Sequence, residues 1–204
     1  MPDFSLERAW QGPVAGVDEV GRGALAGPVM AAAVIVPEVR RRAVAALGLD
    51  DSKTLGPKRC QELHCRLARL VAVGFGVASV EEIDRLNILQ ATLLAMQRSV
   101  AALPIRPEIV LVDGNRAPTL DCPVHTVTGG DATSLSIAAA SVLAKAARDR
   151  QMAALDRDWP GYGWTQNAGY GVPAHRAALA RLGPTPCHRR TFRPVSKLLI
   201  PKDS

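Results

Sequence analysis

Cysteine is scarce in this chain. Cys60, Cys65, Cys122 and Cys187 are its only four, and none belongs to a C-x-x-C pair. A chain of 204 residues can build a sizeable hydrophobic core without disulfides, so the four read as reduced thiols and the compartment as cytoplasmic. Cys60, His64 and Cys65 lie near one another, but their spacing to Cys187 and His188 matches no common zinc pattern. Long hydrophobic runs are also lacking. The apolar stretch from Ala24 to Val36 is interrupted by Gly27-Pro28 and is too short to cross a bilayer, which argues against a membrane partner and for a buried strand. The opening M-P-D-F-S-L-E-R-A-W has neither the basic start nor the apolar centre of a secretory leader. Low-complexity tracts and internal repeats are missing too, which together with 48% hydrophobic residues excludes a largely disordered chain.

Acidic residues are the minority charge: nineteen against twenty-five Lys and Arg, for a net charge of +6. A polyanionic partner therefore fits better than an acidic protein surface. Arg40, Arg41 and Arg42 form one basic run, and His188, Arg189, Arg190 and Arg193 form another within residues 175–202. Any one of these runs reads equally well as solvated surface.

Short β-branched or small apolar runs predict strands at Val14 to Val17, Val29 to Val36, Phe75 to Val80, Ile109 to Val112 and Val124 to Val127. Helical spacing predicts a short helix over Arg40 to Leu47 and helices over Lys58 to Val73 and Ile88 to Leu103. It also predicts an alanine-rich helix over Ser136 to Leu155, whose small side chains would let it lie close to a sheet. Ser79 is placed to cap a helix through residues 81–86, and Asp50 to Pro57 reads as a polar turn. This alternation predicts an α/β sandwich, helices covering a mixed sheet, in one domain with a helical and basic C-terminal segment from about residue 156.

The chemistry is concentrated where strands run into acids. Val17 leads into Asp18-Glu19, Val112 into Asp113, and Val127, after a glycine turn, into Asp131. In open α/β sheets ligands gather at such strand ends, so four carboxylates from distant parts of the chain could converge. No histidine or cysteine accompanies them, and an oxygen-only donor set suits Mg²⁺ or Mn²⁺ rather than zinc. Four acids would repel one another without cations, so two divalent ions about 4 Å apart are expected, a layout suited to phosphodiester hydrolysis. Gly21-Arg22-Gly23 follows the first pair of acids at once; its glycines permit a close backbone approach to a sugar-phosphate chain that Arg22 can hold. Adjacent side chains on a strand face opposite ways, so Asp18 and Glu19 share one site only if the strand ends or twists there. Taken singly, each acidic segment reads equally as a turn, and Asp131 as a carboxylate before a helix.

Taken together and in order, these blocks resemble ribonuclease HII. They are Asp18 to Val29, Asp51-Ser52-Lys53, Asn87-Ile88-Leu89, Val112 to Asn115, Gly130-Asp131, Ile137 to Lys145, Arg148-Asp149, Gly169-Tyr170-Gly171, His175, and His188 to Val195. The resemblance implies a ribonuclease H-like fold and an endonuclease that cuts the RNA strand of RNA/DNA hybrids, or the 5′ side of a ribonucleotide embedded in duplex DNA, leaving 3′-hydroxyl and 5′-phosphate ends. It implies metal-binding, catalytic roles for Asp18, Glu19, Asp113 and Asp131, sensing of the ribose 2′-hydroxyl by Gly21, Arg22 and Gly23, and substrate recognition by Tyr170. A phosphate contact from Lys53 and a monomeric protein accompany that expectation. Tyr162 and Trp164 compete with Tyr170 as the recognising ring. Asp149 competes with the four acids but is expected to pair with an arginine instead. Gly129, Thr133 and Ala168 stand where the family often carries basic residues, so some phosphate contacts would come from elsewhere. Two other readings remain: another nuclease or strand-transfer enzyme of the same superfamily, and a hybrid-binding module without turnover.

Overall fold

The computed structural model describes residues 1–49 and 57–199. Five strands, β1 (Val14–Val20), β2 (Val29–Ile35), β3 (Ala72–Ala78), β4 (Ile109–Asp113) and β5 (Val124–Val127), form one sheet in the order β3-β2-β1-β4-β5. The β1, β2 and β3 neighbours pair antiparallel, whereas β1, β4 and β5 run parallel, so the sheet is mixed as expected. The α-helices are α1 (Arg41–Ala45), α2 (Pro57–Leu67), α3 (Val80–Leu86), α4 (Ile88–Ala101), α5 (Leu135–Asp158), α6 (Trp164–Asn167), α7 (Pro173–Leu182) and α8 (Val195–Leu198).

Helices cover both faces because the strands are apolar on both. Every residue of β2, V-M-A-A-A-V-I, is buried, the pattern of a strand sandwiched between two layers. Its side chains alternate. Ala32 and Val34 join Leu63 and Leu67 of α2 and the alanine face of α5 in one core. Ala31, Ala33 and Ile35 join Ile83 of α3 and Ala91, Ala95 and Met96 of α4 in the other. Each fully buried leucine here, such as Leu63 or Leu143, contributes roughly 1.5–3 kcal/mol.

Glycines set how closely the layers approach. A Cβ on Gly16 of β1 would land on the backbone of Ser136 and Ile137 at the start of α5, and one on Gly76 of β3 would land on the Ala95 carbonyl of α4. The alanine-rich helix thus lies close to the sheet, as its composition predicts. The third core joins Tyr162, Trp164, Leu179 and Val195 of the C-terminal region to Leu25, Ala26 and Met152.

Several boundaries differ from the sequence expectation. β1 continues through both acids to Val20, so the strand does not end at Asp18-Glu19. The helix expected over Lys58 to Val73 stops at Leu67, and Ala72 and Val73 open β3. β3 in turn ends at Ala78, because Ser79 is occupied as a helix cap: its hydroxyl accepts from the Glu82 N–H while the Glu82 carboxylate accepts from the Ser79 N–H. The polar turn expected at Asp50 to Pro57 falls mostly outside the described residues, and Lys53 with it.

Candidate active site

Because β1, β4 and β5 are parallel, their carboxyl ends open on the same edge of the sheet. Val17 pairs with Val112, which makes Asp18 and Asp113 the next residues along in register. Asp113 closes β4. Asp131 lies in the 3-10 turn Gly130–Ala132 that follows β5. At this edge a cavity of about 460 Å³ is walled on one side by Asp18, Glu19 and Asp113. Gly21, Arg22 and Gly23 form a second wall, and Ser141, Lys145, Arg148 and Tyr170 complete it.

Three of the four acids expected to converge therefore share one cavity, and the fourth stands beside it. Asp131 is not in the lining; its turn is tied to Asp113 through the Gly130 N–H, which donates to Asp113 Oδ1 at 2.7 Å. Among the described residues no three His, Cys, Asp or Glu side chains are gathered closely enough to form a ready-made metal centre. Adjacent positions on β1 do face opposite ways: Gly16 meets α5, whereas Ala15 and Val17 pack with α4. Asp18 accordingly lies on the Ser141 side, and Glu19 also borders a groove under Leu89 and Leu93 of α4. Both reach one cavity because it opens over the strand's end, not because the strand stops.

The electrostatics follow from crowding. Asp18 is 6% exposed, and its pKa is pushed up to about 8, first by burial and then by the charges of Glu19 and Asp113. The Ser141 hydroxyl and the Glu19 N–H, which donates to Asp18 Oδ1 at 2.7 Å, pull the other way. Burial also raises Glu19, with Asp113 adding to it and Arg22, 3.4 Å from its Oε1, opposing. An all-oxygen set whose members resist ionising together is the setting in which a divalent cation gains most, so these acids suit Mg²⁺ or Mn²⁺.

Of the three competing rings, Tyr162 and Trp164 are buried and stacked on each other with centroids 5.1 Å apart, while Tyr170 is 39% exposed and faces the cavity. Asp149 pairs with Lys145, whose Nζ donates to both carboxylate oxygens at 2.6 Å. The expected arginine partner is thus corrected to a lysine one helical turn earlier, which leaves Asp149 engaged away from the acids.

Two buried arginines carry more of the site's construction than sequence reasoning assigns them. Arg189 donates to the carbonyls of Gly21 (2.7 Å), Arg22 (2.8 Å) and Gly27 (3.0 Å). Arg148 donates to those of Ala168 (2.8 Å), Pro28 (3.1 Å) and Ala26 (3.2 Å), and its Cζ lies 5.7 Å from the Tyr170 ring centroid. Burial lowers the pKa of both, that of Arg189 to about 9, which leaves Arg189 cationic at neutral pH. A Cβ on Gly21, whose φ is +91°, would strike the Arg148 guanidinium, so only glycine lets loop and arginine meet. No local pattern marks either one: Arg148 shares its helix with Lys145, Arg150 and Arg157, and Arg189 sits in the basic run from His188 to Arg193.

A sequence model of the family described as ribonuclease HII matches residues 15–195. A ribonuclease HII from Rhizorhabdus wittichii is 57% identical over 199 residues, covering 98% of this chain and 96% of its own. One from Paramagnetospirillum magneticum is 56% identical over 200 residues, covering 98% and 100%. The ribonuclease H2 structure from Pyrococcus horikoshii superposes with a TM-score of 0.77 at 25% identity, covering 91% of this chain and 96% of that one. The matched span begins on β1 before the first acid and ends after the buried Arg189, so sheet, acidic edge and arginine clamps all fall within it, and the chain belongs to the ribonuclease HII family of metal-dependent endoribonucleases.

Proposed function

We propose that this endoribonuclease cuts on the 5′ side of a ribonucleotide, both in RNA/DNA hybrids and at single ribonucleotides in duplex DNA, leaving 3′-hydroxyl and 5′-phosphate ends. The observation that carries this reading is that three of the acids, Asp18, Glu19 and Asp113, and the Gly21-Arg22-Gly23 loop wall the same cavity. Cleavage chemistry and the means of recognising ribose then act on one nucleotide.

Asp18, Glu19, Asp113 and Asp131 would hold two divalent ions, Asp131 being brought in by its turn's link to Asp113. When bound, such ions lower the pKa of water and stabilise charge on the scissile phosphate. The Gly21 and Arg22 carbonyls are turned inward onto Arg189. In a trans peptide the N–H points opposite to the carbonyl, so the Arg22 and Gly23 amides face away from Arg189 and are available to a ribose 2′-hydroxyl, the only group that distinguishes RNA from DNA at one nucleotide. Tyr170, across the cavity, would pack its ring against the same sugar. The Arg22 side chain, half exposed beside Glu19, would hold the flanking phosphate, with Lys53 as a further phosphate contact.

On this reading the chain acts as one catalytic domain, a cytoplasmic monomer whose segment from about residue 156 supplies Tyr170. Among the described residues no helix is long and apolar enough to cross a membrane. The test is a duplex DNA carrying one ribonucleotide, incubated with Mg²⁺ or Mn²⁺. A single cut 5′ to the ribonucleotide with a 3′-hydroxyl end supports the proposal; retention without cutting, or a cut elsewhere, overturns it.

A further inference from the structure

Behind Tyr170 lies a buried pair of histidines that the chemistry above does not use. His175, in the first turn of α7, and His188 are 0% and 1% exposed, and their Nε2 atoms stand 3.2 Å apart. Their partners determine which ring nitrogen carries each proton. His175 Nδ1 faces the Tyr170 carbonyl at 3.0 Å; a carbonyl only accepts, so Nδ1 bears the hydrogen and Nε2 is the acceptor. Nε2 accordingly accepts from the Trp164 indole N–H at 3.0 Å. His188 Nδ1 faces the Thr185 N–H at 3.0 Å and the Thr185 hydroxyl at 2.9 Å. An N–H only donates, so His188 Nδ1 is an acceptor and its hydrogen sits on Nε2, aimed at His175. Thr185, His188, His175 and the Tyr170 carbonyl thus form one directional chain in which both rings are neutral and every ring nitrogen is matched.

The end of that chain is the loop carrying Tyr170. The Tyr170 carbonyl also receives the Val172 N–H at 2.8 Å, and the Gly169 carbonyl receives the Leu25 N–H at 2.8 Å. A Cβ on Gly169, whose φ is +79°, would meet the Ala26 carbonyl at 2.5 Å. The loop is therefore pressed against residues 24–26, which follow the Gly21-Arg22-Gly23 turn, while the ring stays exposed over Arg148.

We infer that His175 is a positioning residue for ribonucleotide recognition: its Nδ1–H, held in that tautomer by Trp164 and His188, anchors the Tyr170 main chain so that the ring stands over the sugar opposite the Gly21-Arg22-Gly23 loop. The inference rests on the proposed role of Tyr170. His175 touches no substrate and acts only through that residue. A displacement of about 1 Å in a substrate-positioning group can cost on the order of 100-fold, so the anchor matters even though no atom of it reaches the cavity.

The experiment compares four variants, Tyr170→Ala, His175→Leu, His175→Asn and the double variant Tyr170→Ala/His175→Leu. Each is scored by kcat/KM on duplex DNA with one ribonucleotide and by thermal unfolding. His175→Leu fills the same space without a donor, and is expected to lose roughly 10- to 100-fold, as Tyr170→Ala does. The double variant should be no worse than Tyr170→Ala alone. His175→Asn, whose side-chain amide can take the place of Nδ1–H, should recover most of the loss, which a purely space-filling role would not produce.

Additive losses, a folded His175→Leu that cuts normally, or no recovery by His175→Asn would each overturn the inference while leaving the function of Tyr170 intact. Unimpaired cutting by Tyr170→Ala would remove the recognition reading, and this inference with it. Should the variants fail to fold, imidazole ¹⁵N spectra of the unaltered protein decide instead. They should show His175 protonated at Nδ1 and His188 at Nε2, and the reverse assignment refutes the anchor.

Discussion

At the scale of single residues, the acids were legible and their supports were not. Asp18, Glu19 and Asp113 stood out because a carboxylate directly after an apolar run has few packing reasons to be there. Asp131 was legible as a nearby acid, but its place outside the cavity lining depends on a 3-10 turn that no short pattern announces. Arg148 and Arg189 were hidden for the opposite reason: charged residues are almost always exposed, and nothing local marks two whose guanidinium nitrogens each donate to a main-chain carbonyl. This division shapes the expected behaviour of Asp113→Asn. Asparagine keeps an oxygen that can accept from the Gly130 N–H, so the tie to the Asp131 turn survives. It also removes one of the charges that raise Asp18, so folding should be unharmed or slightly favoured without metal. The loss should fall on turnover, on the order of 100-fold or more, as for other electrostatic contacts to a developing charge. Steady-state cleavage of an RNA/DNA hybrid beside thermal unfolding checks both halves, and near-normal turnover would remove Asp113 from the reaction.

At the scale of elements, the strands and helices were readable from periodicity, but the junctions were decided by groups that periodicity does not weigh. Ser79 reads as a cap, yet β3 ends at Ala78, two residues before the expected Val80, because the reciprocal bonds between Ser79 and Glu82 settle the boundary more firmly than the β propensity of Val80. Asn87 is stranger still: at φ +72° and ψ 164°, a backbone region that residues with a Cβ rarely adopt, it both ends α3 and caps α4, accepting from the Leu89 and Gln90 N–H groups. Glycines within strands carried the least readable information. Gly74 and Gly76 look like interruptions of β3, but they are where α4 lies against the sheet. Gly76→Ala would force a methyl group onto the Ala95 carbonyl, and both neighbours are backbone with little room to yield. Unfolding should become easier by roughly 1–3 kcal/mol, readable as a lowered denaturant midpoint with cleavage per folded molecule preserved, since β3 is the edge strand farthest from β4. An unchanged midpoint would mean that the helix can shift outward without cost.

At the scale of the whole molecule, buried groups respond to pH in opposite senses: burial raises Asp18 and Glu19 and lowers His188 and His175. Asp18 is held near 8 against an ordinary 3.8. A folded-state pKa above the unfolded one contributes stability that is complete below 3.8 and is lost as pH rises through 8. His188 is held near 4 against 6.5, by burial first and then by His175, which burial lowers as well. Here the unfolded chain takes up its proton near 6.5 while the folded one refuses it until about 4, so stability is complete above 6.5 and drains away as pH falls toward 4. Between 4 and 6.5 the two effects oppose each other, and the metal-free protein's pH profile would look flatter than either cause. Replacing the Asp18 carboxyl removes its large contribution and leaves only that of Glu19 to oppose the histidines. In Asp18→Asn without divalent ions, the denaturant midpoint should fall from pH 6.5 to pH 4, the His188 contribution to unfolding free energy dropping by on the order of 2–3 kcal/mol, whereas the unaltered metal-free chain should fall less. A variant whose midpoint holds level or climbs across that interval would show that the histidines behind Tyr170 accept protons without disturbing the fold, and the neutral pair would lose its claim to rigidity.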